Sequence, residues 1–513
     1  MTVLSGSGRG WKNVFIAAIV LMKTRRARPQ LLRLFCVLIL DRLGGYMFSN
    51  FLRLLALGTA LSTAFIVPAS AMSLRDATQL ALESNPEIGQ AIQNREAIEF
   101  ELRQALGLYA PRVDLEASTG AEMLSSPSRR AAGIDDSPLY PSQVALVATF
   151  DLLDGGFRDA EVSRQAARID GASFRVLERS EFIALQIARV YYQVLLQQRI
   201  VALNQQNVDF HQGMLKDVSS SIESGQLTEA DRFQVIERMA AARARLTESA
   251  VDLEAARIEF DLFVGTRPDT VSMPPRVGGA LPKTLAAAIE AARVNNPMVR
   301  IANADIDAST ALVTQAEGAF GPKVQFEARA STGFDVGGTE EVTSDLSGRL
   351  SLRWNIFDGG IKDAQVQEQV RRQSEAIYAQ DQAFREVEEA VRTSWLRLQT
   401  QGTLYATYRD QLDASAKLIS AYREQFGVGD RSLLDVLDAQ NTRVNVQILQ
   451  ETSDFGVKFA EYRLMAATGH LLGFMGLDAP NQAGAYARDA LKVDTWDGTE
   501  PERKPLDLTS FVN

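Results

Sequence analysis

Cysteine and histidine, the residues that most often bind zinc or supply a nucleophile and its base, are almost absent from the chain. Cys36 is the only cysteine, and His211 and His470 are the only histidines. The sequence therefore offers no Cys/His set for zinc and no Cys–His nucleophile pair. Because most metalloenzymes and thiol enzymes need such sets, we expect a protein that is not an enzyme and that binds no cofactor or metal.

The charge balance bears on a further class, the nucleic-acid-binding proteins. Lys and Arg total 54 against 64 Asp and Glu, which gives a formal net charge of −10. A surface that binds the phosphate backbone of a nucleic acid would need an excess of basic residues, so we expect no nucleic-acid partner. With 513 residues, of which 46% are apolar and 23% charged, the composition is that of a globular protein with room for two or more domains.

Acidic side chains near two predicted helix starts are the remaining candidates for a functional site. Asp435 follows Ser432 by three residues, and Asp231 follows Thr228 by three residues. This spacing is that of a capping box, so capping alone could explain both acids. Asp438 lies one turn deeper and shares a helix face with Asp435. Capping does not explain Asp438, for which the alternative is a solvated helix face.

The elements that would position these acids occur twice in the chain. Asn85-Pro86 recurs 211 residues later as Asn296-Pro297, and Ala110-Pro111 recurs at the same offset as Gly321-Pro322. An offset of 204 then relates Asp154-Gly155-Gly156 to Asp358-Gly359-Gly360, Gly225 to Gly429, and Asp231 to Asp435. A constant offset over such a length indicates an internal repeat. The offsets differ because segment 124–142 is longer than segment 335–345, and we interpret both as surface loops.

Each repeat is predicted to contain a helix, a strand hairpin and two long helices. The first repeat takes residues 72–280, with a hairpin at 112–152 and long helices within 157–263. The second takes residues 281–478, with a hairpin at 323–357 and long helices within 361–467, and residues 479–513 are a predicted polar tail. Turns at Gly225, and at Gly427 to Gly429, would reverse the chain between the long helices.

The long helices carry an apolar residue at every seventh position. The steps are Ile187, Val194, Val201, Val208, Leu215 and Ile222 in the first repeat, and Val391, Leu398, Tyr405, Leu412, Ile419 and Phe426 in the second. Six consecutive heptad positions predict helices that pack side by side with coiled-coil geometry.

The predicted strands alternate apolar and polar residues over about ten positions, the length of a tilted transmembrane strand. They are 112–120, 143–152, 323–331 and 349–357, and the Asp-Gly-Gly runs are predicted turns from strand to helix. Ordinary hairpins of a soluble domain are the alternative for strands taken alone. Because a barrel needs about eight strands, four per chain predict association with further copies, and this arithmetic allows two copies or three.

Residues 1–71 are predicted to be a leader rather than part of the fold. Residues 47–71 have the order of a secretory signal, with Arg53, an apolar run at 54–67 and a final Ala69-Ser70-Ala71. We expect cleavage after Ala71, and we interpret Met47 as the true start. An unusually long leader with an inner-membrane anchor is the alternative for residues 1–46.

Three features together resemble the TolC-like outer-membrane efflux and type I secretion channels over residues 74–470. They are the duplicated Asn-Pro helix starts, the run WNIFDGG at 354–360 and the run GDRSLLDVLDA at 429–439. The resemblance implies a homotrimer in the outer membrane, with a large periplasmic part that docks through an adaptor onto an inner-membrane ABC exporter or proton-driven pump. The predicted fold class is a mixed α/β membrane protein. Its duplicated strand-strand-helix-helix repeat would supply coiled-coil helices to an α-barrel and four strands per chain to a shared trimeric β-barrel in outer-membrane lipid.

The same resemblance implies a site at the periplasmic end. Acids at the positions of Asp435 and Asp438 line the aperture in that family, and the basic residue matching Arg431 helps to hold neighbouring helices shut. In a trimer the two acids would place six carboxylates around one axis, a ring that favours cations. Asp231 is included in the predicted aperture. His211 is expected to be a solvated helix residue.

The region 208–265 is most similar to the subgroup that serves type I secretion of large adhesins. The predicted function is therefore the exit duct of a tripartite export system, serving type I protein secretion. The alternatives are the outer-membrane component of a drug or small-molecule efflux pump and, in a different class, a periplasmic coiled-coil scaffold or adhesin stalk.

Overall fold

The computed structural model describes residues 71–268, 270–339 and 341–505. The predicted leader and its signal peptide lie outside these residues, except for Ala71. None of the helices between residues 71 and 505 is both long enough and apolar enough to cross a bilayer.

Two short helices, a strand hairpin and two long helices make up the first repeat, and a small helix lies in the hairpin loop. The elements are α1 (Leu74–Ser84), α2 (Pro86–Gly107), β1 (Arg112–Thr119), α3 (Pro127–Ala132), β2 (Ser142–Leu153), α4 (Phe157–Glu223) and α5 (Glu229–Val264). Helix α4 has 67 residues and is therefore about 100 Å long at 1.5 Å per residue.

The second repeat has the same order without the small loop helix. Its elements are α6 (Leu285–Asn295), α7 (Pro297–Gly318), β3 (Lys323–Phe334), β4 (Val342–Arg353), α8 (Ile361–Gly427) and α9 (Leu433–Ala467). Helix α8 also has 67 residues. Two short helices follow, α10 (Leu471–Met475) and α11 (Ala487–Leu491).

The asparagine of each Asn-Pro pair joins two parts of its own repeat. The side-chain oxygens of Asn85 and Asn296 each accept a hydrogen bond of 2.9 Å from a backbone N–H in the first helical turn. Their amide nitrogens donate to the carbonyl oxygens of Phe263, at 3.2 Å, and Ala467, at 3.0 Å. The duplicated motif therefore caps a helix and also holds the last turn of the long-helix pair against it.

The two Asp-Gly-Gly runs lie between strand and helix. In each run the aspartate Oδ1 accepts the N–H of the second glycine at 3.1 Å. All four glycines have positive φ angles, between 72° and 87°, which side chains rarely adopt. At Gly155 space is a second constraint, because an added Cβ would lie 2.0 Å from the carbonyl oxygen of Gly318.

The four strands form one antiparallel sheet in the order β1-β2-β3-β4, so the two hairpins pair with each other. The register aligns apolar residues in rows across one face, and one such row contains Leu115, Leu146, Ala330 and Leu346. On the opposite face, Arg329 and Glu116 form an ion pair of 2.9 Å. The sheet therefore has one apolar face and one charged face.

The last strand begins and ends earlier than the sequence predicts. Strand β4 covers Val342–Arg353 rather than 349–357, and the loop before it is shorter than the predicted 335–345. The ladder extends into that segment because Phe334 pairs directly with Val342. At the other end, Trp354 leaves the ladder and its Nε1 donates to the carbonyl oxygen of Phe320 at 2.9 Å.

All twelve predicted heptad positions are buried or partly buried within a single chain. Ile187 and Val194 in α4 and Val391 in α8 are fully buried. Helix α4 packs chiefly on α5, α7 and α2, and α8 packs on α9 and α7. The regular spacing therefore marks the faces on which the long helices contact their neighbours.

The C-terminal segment is packed onto the helices, where the sequence predicts only a polar tail. Ala487 is fully buried, and Asp170 accepts the backbone N–H groups of Tyr486 and Ala487, both at 2.9 Å. The Arg488 guanidinium bonds Asp170 at 2.8 Å and also bonds Asp307. Because Asp170 lies in α4 and Asp307 in α7, this segment links the two repeats.

Candidate functional site

The turns at the ends of the two long-helix hairpins lie together and enclose a cleft. Gly225 and Gly429 supply the left-handed residues of these turns, with φ of 76° and 83°. Gly427 is instead the last residue of α8. Residues from both hairpins line the cleft, among them Asp231 and Arg431. The predicted aperture residues of the two repeats therefore lie at the same end of the molecule.

Asp231 is occupied by the start of its own helix. Its Oδ2 accepts the backbone N–H of Thr228 at 2.9 Å and the Thr228 hydroxyl at 2.8 Å. The first of these contacts is the carboxylate half of the capping box at the start of α5. Asp231 therefore caps its helix, which is one of the two roles that the sequence allowed for it.

Asp435 combines a cap with partial exposure. Ser432 Oγ accepts the Asp435 N–H at 3.2 Å and donates to its Oδ2 at 2.8 Å. The neighbouring Arg431 lies 3.9 Å from the same carboxylate, donates to Gln425 at 3.1 Å and stacks 4.3 Å from the ring centroid of Tyr422. Arg431 thus joins the end of α8 to the start of α9.

Asp438 faces the other hairpin of the same chain. Its side chain is 58% exposed, and its Oδ1 accepts a hydrogen bond of 3.2 Å from Arg238 of α5. Arg238 was not among the residues predicted from the sequence. Because Arg238 and Asp438 belong to different repeats, no local spacing in the sequence could relate them.

A buried polar layer lies beside this ion pair, between α4 and α9. Gln440 donates to Asn207 at 3.0 Å, and both side chains are buried. His211, one turn from Asn207, is also buried, so the expectation of a solvated histidine is wrong. Burial, and then the charge of Arg238, lower the pKa of His211. The Nδ1 of His211 has no hydrogen-bond partner among the residues described.

The chemistry available at this end is electrostatic. Asp435 and Asp438 present half-exposed carboxylates along one helix, beside a cleft that both hairpins line. Nowhere in the described part of the chain do three or more His, Cys, Asp or Glu side chains converge as metal ligands would. Such acids can attract cations and repel anions wherever the passage beside them is narrow.

Comparisons with known sequences place the chain beside efflux and secretion proteins. Residues 288–470 match the family model described as outer membrane efflux protein. Outer membrane efflux protein BepC of Brucella suis is 26% identical over 56% of this chain, which spans 63% of the length of BepC. Alkaline protease secretion protein AprF of Pseudomonas aeruginosa is 23% identical over 72% of this chain and 79% of AprF.

The fold is also that of a solved outer membrane channel. The crystal structure of CmeC from Campylobacter jejuni superimposes with a TM-score of 0.67, over 82% of this chain and 88% of CmeC. The sequences are only 14% identical over that alignment. The likeness therefore extends across both repeats, beyond the segment that the family model matches.

Proposed function

Because the chain belongs to the TolC-like family of outer membrane efflux proteins, we propose that it is the outer-membrane exit duct of a tripartite export system. The duct passes substrate from an inner-membrane pump, through the periplasm, to the outside. The observation that carries this proposal is a sheet with one apolar face, continuous with helices of 67 residues. A periplasmic scaffold or adhesin stalk would have no use for an apolar sheet face.

Three copies form the duct in this proposal. Strands β1 and β4 are the two edges of the sheet, and β4 exposes Leu346, Leu350 and Leu352. Open strand edges leave backbone groups unsatisfied in lipid. Three chains would pair these edges into a closed barrel of twelve strands, and their long helices would continue it as a periplasmic cylinder.

Mass measurement in mild detergent tests this assembly. We expect the protein extracted from outer membranes to have the mass of three chains, and to fall to the mass of one chain after heating in a denaturing detergent. A stable monomer or dimer in mild detergent would contradict both the trimer and the duct.

We propose proteins as the cargo, exported by a type I system with a periplasmic adaptor and an ABC exporter. The name of AprF refers to secretion of alkaline protease, which supports this choice, whereas the name of BepC refers to efflux. Deletion of the gene should remove a protein from the culture medium. If deletion instead raised drug sensitivity and left the secreted proteins unchanged, small-molecule efflux with a proton-driven pump would be the better proposal.

We propose that Asp435 and Asp438 form the acidic constriction of the duct. Both are half-exposed, both follow the turn at Gly429, and Arg431 fastens that turn to the end of α8. Asp231 contributes the matching cap on the other hairpin. Three chains would bring six carboxylates of Asp435 and Asp438 to this end.

Changing both Asp435 and Asp438 to alanine should reduce cation preference in single-channel recordings and abolish block by multivalent cations. Asp231→Ala is the matched control, because it removes a helix cap at the same end and should leave selectivity unchanged. A double variant that loses only about 1 kcal/mol of stability, as a lost cap would, and keeps its selectivity would refute the constriction.

Arg431→Ser should raise the single-channel conductance, because the change loosens the turn.

A further inference from the structure

We propose that Lys323 and Arg353 form a binding site for the carboxylate groups of an acidic polypeptide. Lys323 is the first residue of β3 and Arg353 is the last residue of β4, and the register places them directly opposite each other. They lie at the end of the sheet that leads into the long helices, here called the helix-side end. The inference rests on the proposed function, because three chains would then place six basic side chains around the lumen.

Both basic residues lie on the charged face of the sheet. Val324 and Leu352, their neighbours in sequence, pair with each other on the apolar face. Side chains alternate between the two faces along a strand, so Lys323 and Arg353 lie on the opposite face, and both are exposed. In the proposed duct this face lines the water-filled interior, where a soluble ligand can reach the pair.

The pairing of these two residues is unfavourable by itself. Directly opposite residues have Cβ atoms about 4.5–5.5 Å apart, and like charges at that separation destabilise a sheet. Neither Lys323 nor Arg353 has an ion pair or a side-chain hydrogen bond to any residue that the structure describes. Departures from favourable pairing are expected at functional sites, and a bound anion would supply the missing negative charge here.

Acids near the helix-side end are already occupied. Asp151, on the charged face, accepts a hydrogen bond of 2.9 Å from Gln325. The aspartates of the two Asp-Gly-Gly turns accept backbone N–H groups of their own turns. The helix-side end of the charged face therefore keeps a local excess of positive charge.

The two donors determine the class of ligand. Lysine and arginine both bind carboxylate oxygens through charge-assisted hydrogen bonds, and two of them side by side suit neighbouring acidic groups. A protein that passes through the lumen presents such groups on its Asp and Glu side chains. The site lies about 100 Å along α8 from the turns at the candidate constriction, so it would contact the cargo independently of Asp435 and Asp438.

Calorimetric titration of the full trimer in mild detergent tests the site. At about 0.15 M salt we expect a soluble peptide of consecutive glutamates to bind, and a glutamine peptide of the same length not to bind. Lys323→Gln and Arg353→Gln should each weaken binding at least about tenfold, because each removes one charge-assisted contact. Unchanged affinity in both variants would overturn the proposal.

Lys323→Glu separates a binding role from a structural one. The new carboxylate would lie opposite Arg353 and form a cross-strand ion pair, so the variant trimer should resist heat better than the wild type. The same variant should lose the glutamate peptide. A variant that is more stable and still binds the peptide with wild-type affinity would show that the two basic residues are not the site.

Arg349→Gln is the matched control. Arg349 lies on the same strand and face as Arg353, but it is opposite Glu327. It is about 13 Å from Arg353 along the strand, beyond the Debye length of about 8 Å, so its loss should leave the affinity nearly unchanged. Equal losses in Arg349→Gln and Arg353→Gln would indicate diffuse attraction and no local site. Binding of phosphatidylglycerol vesicles without binding of the peptide would make the ligand a lipid headgroup and contradict the placement in the lumen.

Failure of the site and failure of the duct have different signatures. A trimer that binds no glutamate peptide would overturn the site and leave the duct in place. If only monomers were recovered from the outer membrane, the duct would fail, and the site in its lumen with it.

Discussion

Replacement of Arg488 by methionine should lower the free energy of unfolding by about 3–5 kcal/mol. The Arg488 guanidinium bonds Asp170 and Asp307, whose side chains are each only 4% exposed. Methionine would fill much of the space and leave two buried carboxylates without a positive partner. The penalty for such charges exceeds that of most single substitutions. Denaturant unfolding of wild type and variant, at equal protein concentration and neutral pH, measures the difference.

Arg372→Met is the control for Arg488→Met. Arg372 pairs with Glu375 at the surface of α8, where an exposed ion pair contributes only about 0–1 kcal/mol. A triple variant with Arg488→Met, Asp170→Asn and Asp307→Asn should recover part of the lost stability, because it removes the buried charges. If Arg488→Met were as mild as Arg372→Met, the C-terminal segment would not be held by this buried cluster.

A positive charge on the apolar face of the sheet should be nearly as damaging. Leu346 lies in the middle of β4 with 84% of its surface exposed, in the same cross-strand row as Leu115 and Leu146. If this face contacts lipid, Leu346→Arg should destabilise the assembled protein by about 2–4 kcal/mol, the cost of arginine near the bilayer midplane. The yield of trimer in outer membranes and its unfolding in detergent would report the effect.

Ser347→Arg provides a comparison at the adjacent position. Ser347 belongs to the same strand and faces the opposite side of the sheet, where Arg329 and Glu116 already form an ion pair. An arginine there should be tolerated, since the charged face would line a water-filled interior. Equal tolerance of Leu346→Arg and Ser347→Arg would place the apolar face away from lipid.

Both predictions concern contacts and surfaces that the internal repeat does not define by itself. The repeat and its motifs led from the sequence to the TolC-like family, the mixed α/β fold class, the outer-membrane location and a channel rather than an enzyme. The comparisons confirm the fold class and agree with the family resemblance and the outer-membrane location, whereas the channel activity belongs to the proposed function. The predicted aperture and the boundaries of the repeats stay predictions.

Local chemistry explains why so much of the helical architecture could be read from one sequence. Apolar residues at every seventh position mark a contact face whatever the partner helix is, and both longest helices use it. The Asn-Pro pair carries its own cap, and the Asp-Gly-Gly run carries its own turn. The information for each of these features lies within a few consecutive residues.

Strand ends required knowledge of the partner strand. The apolar residues at 354–357 extend the alternation beyond the ladder, and the polar residues at 343–345 hide its beginning. Pairing of Phe334 with Val342 decided where β4 starts. Hydrogen bonding between strands, rather than the pattern within one strand, set these limits.

Contacts between distant segments were decided by the tertiary structure alone. His211 lies among polar neighbours in the sequence and is nevertheless buried, because the packing of α4 against its neighbouring helices covers its helix face. The polar C-terminal segment is packed because Arg488 meets two buried acids, and Asp438 meets Arg238 across 200 residues. Charge pairing and burial depend on which helix faces meet in space, and a single sequence carries no local signal for that.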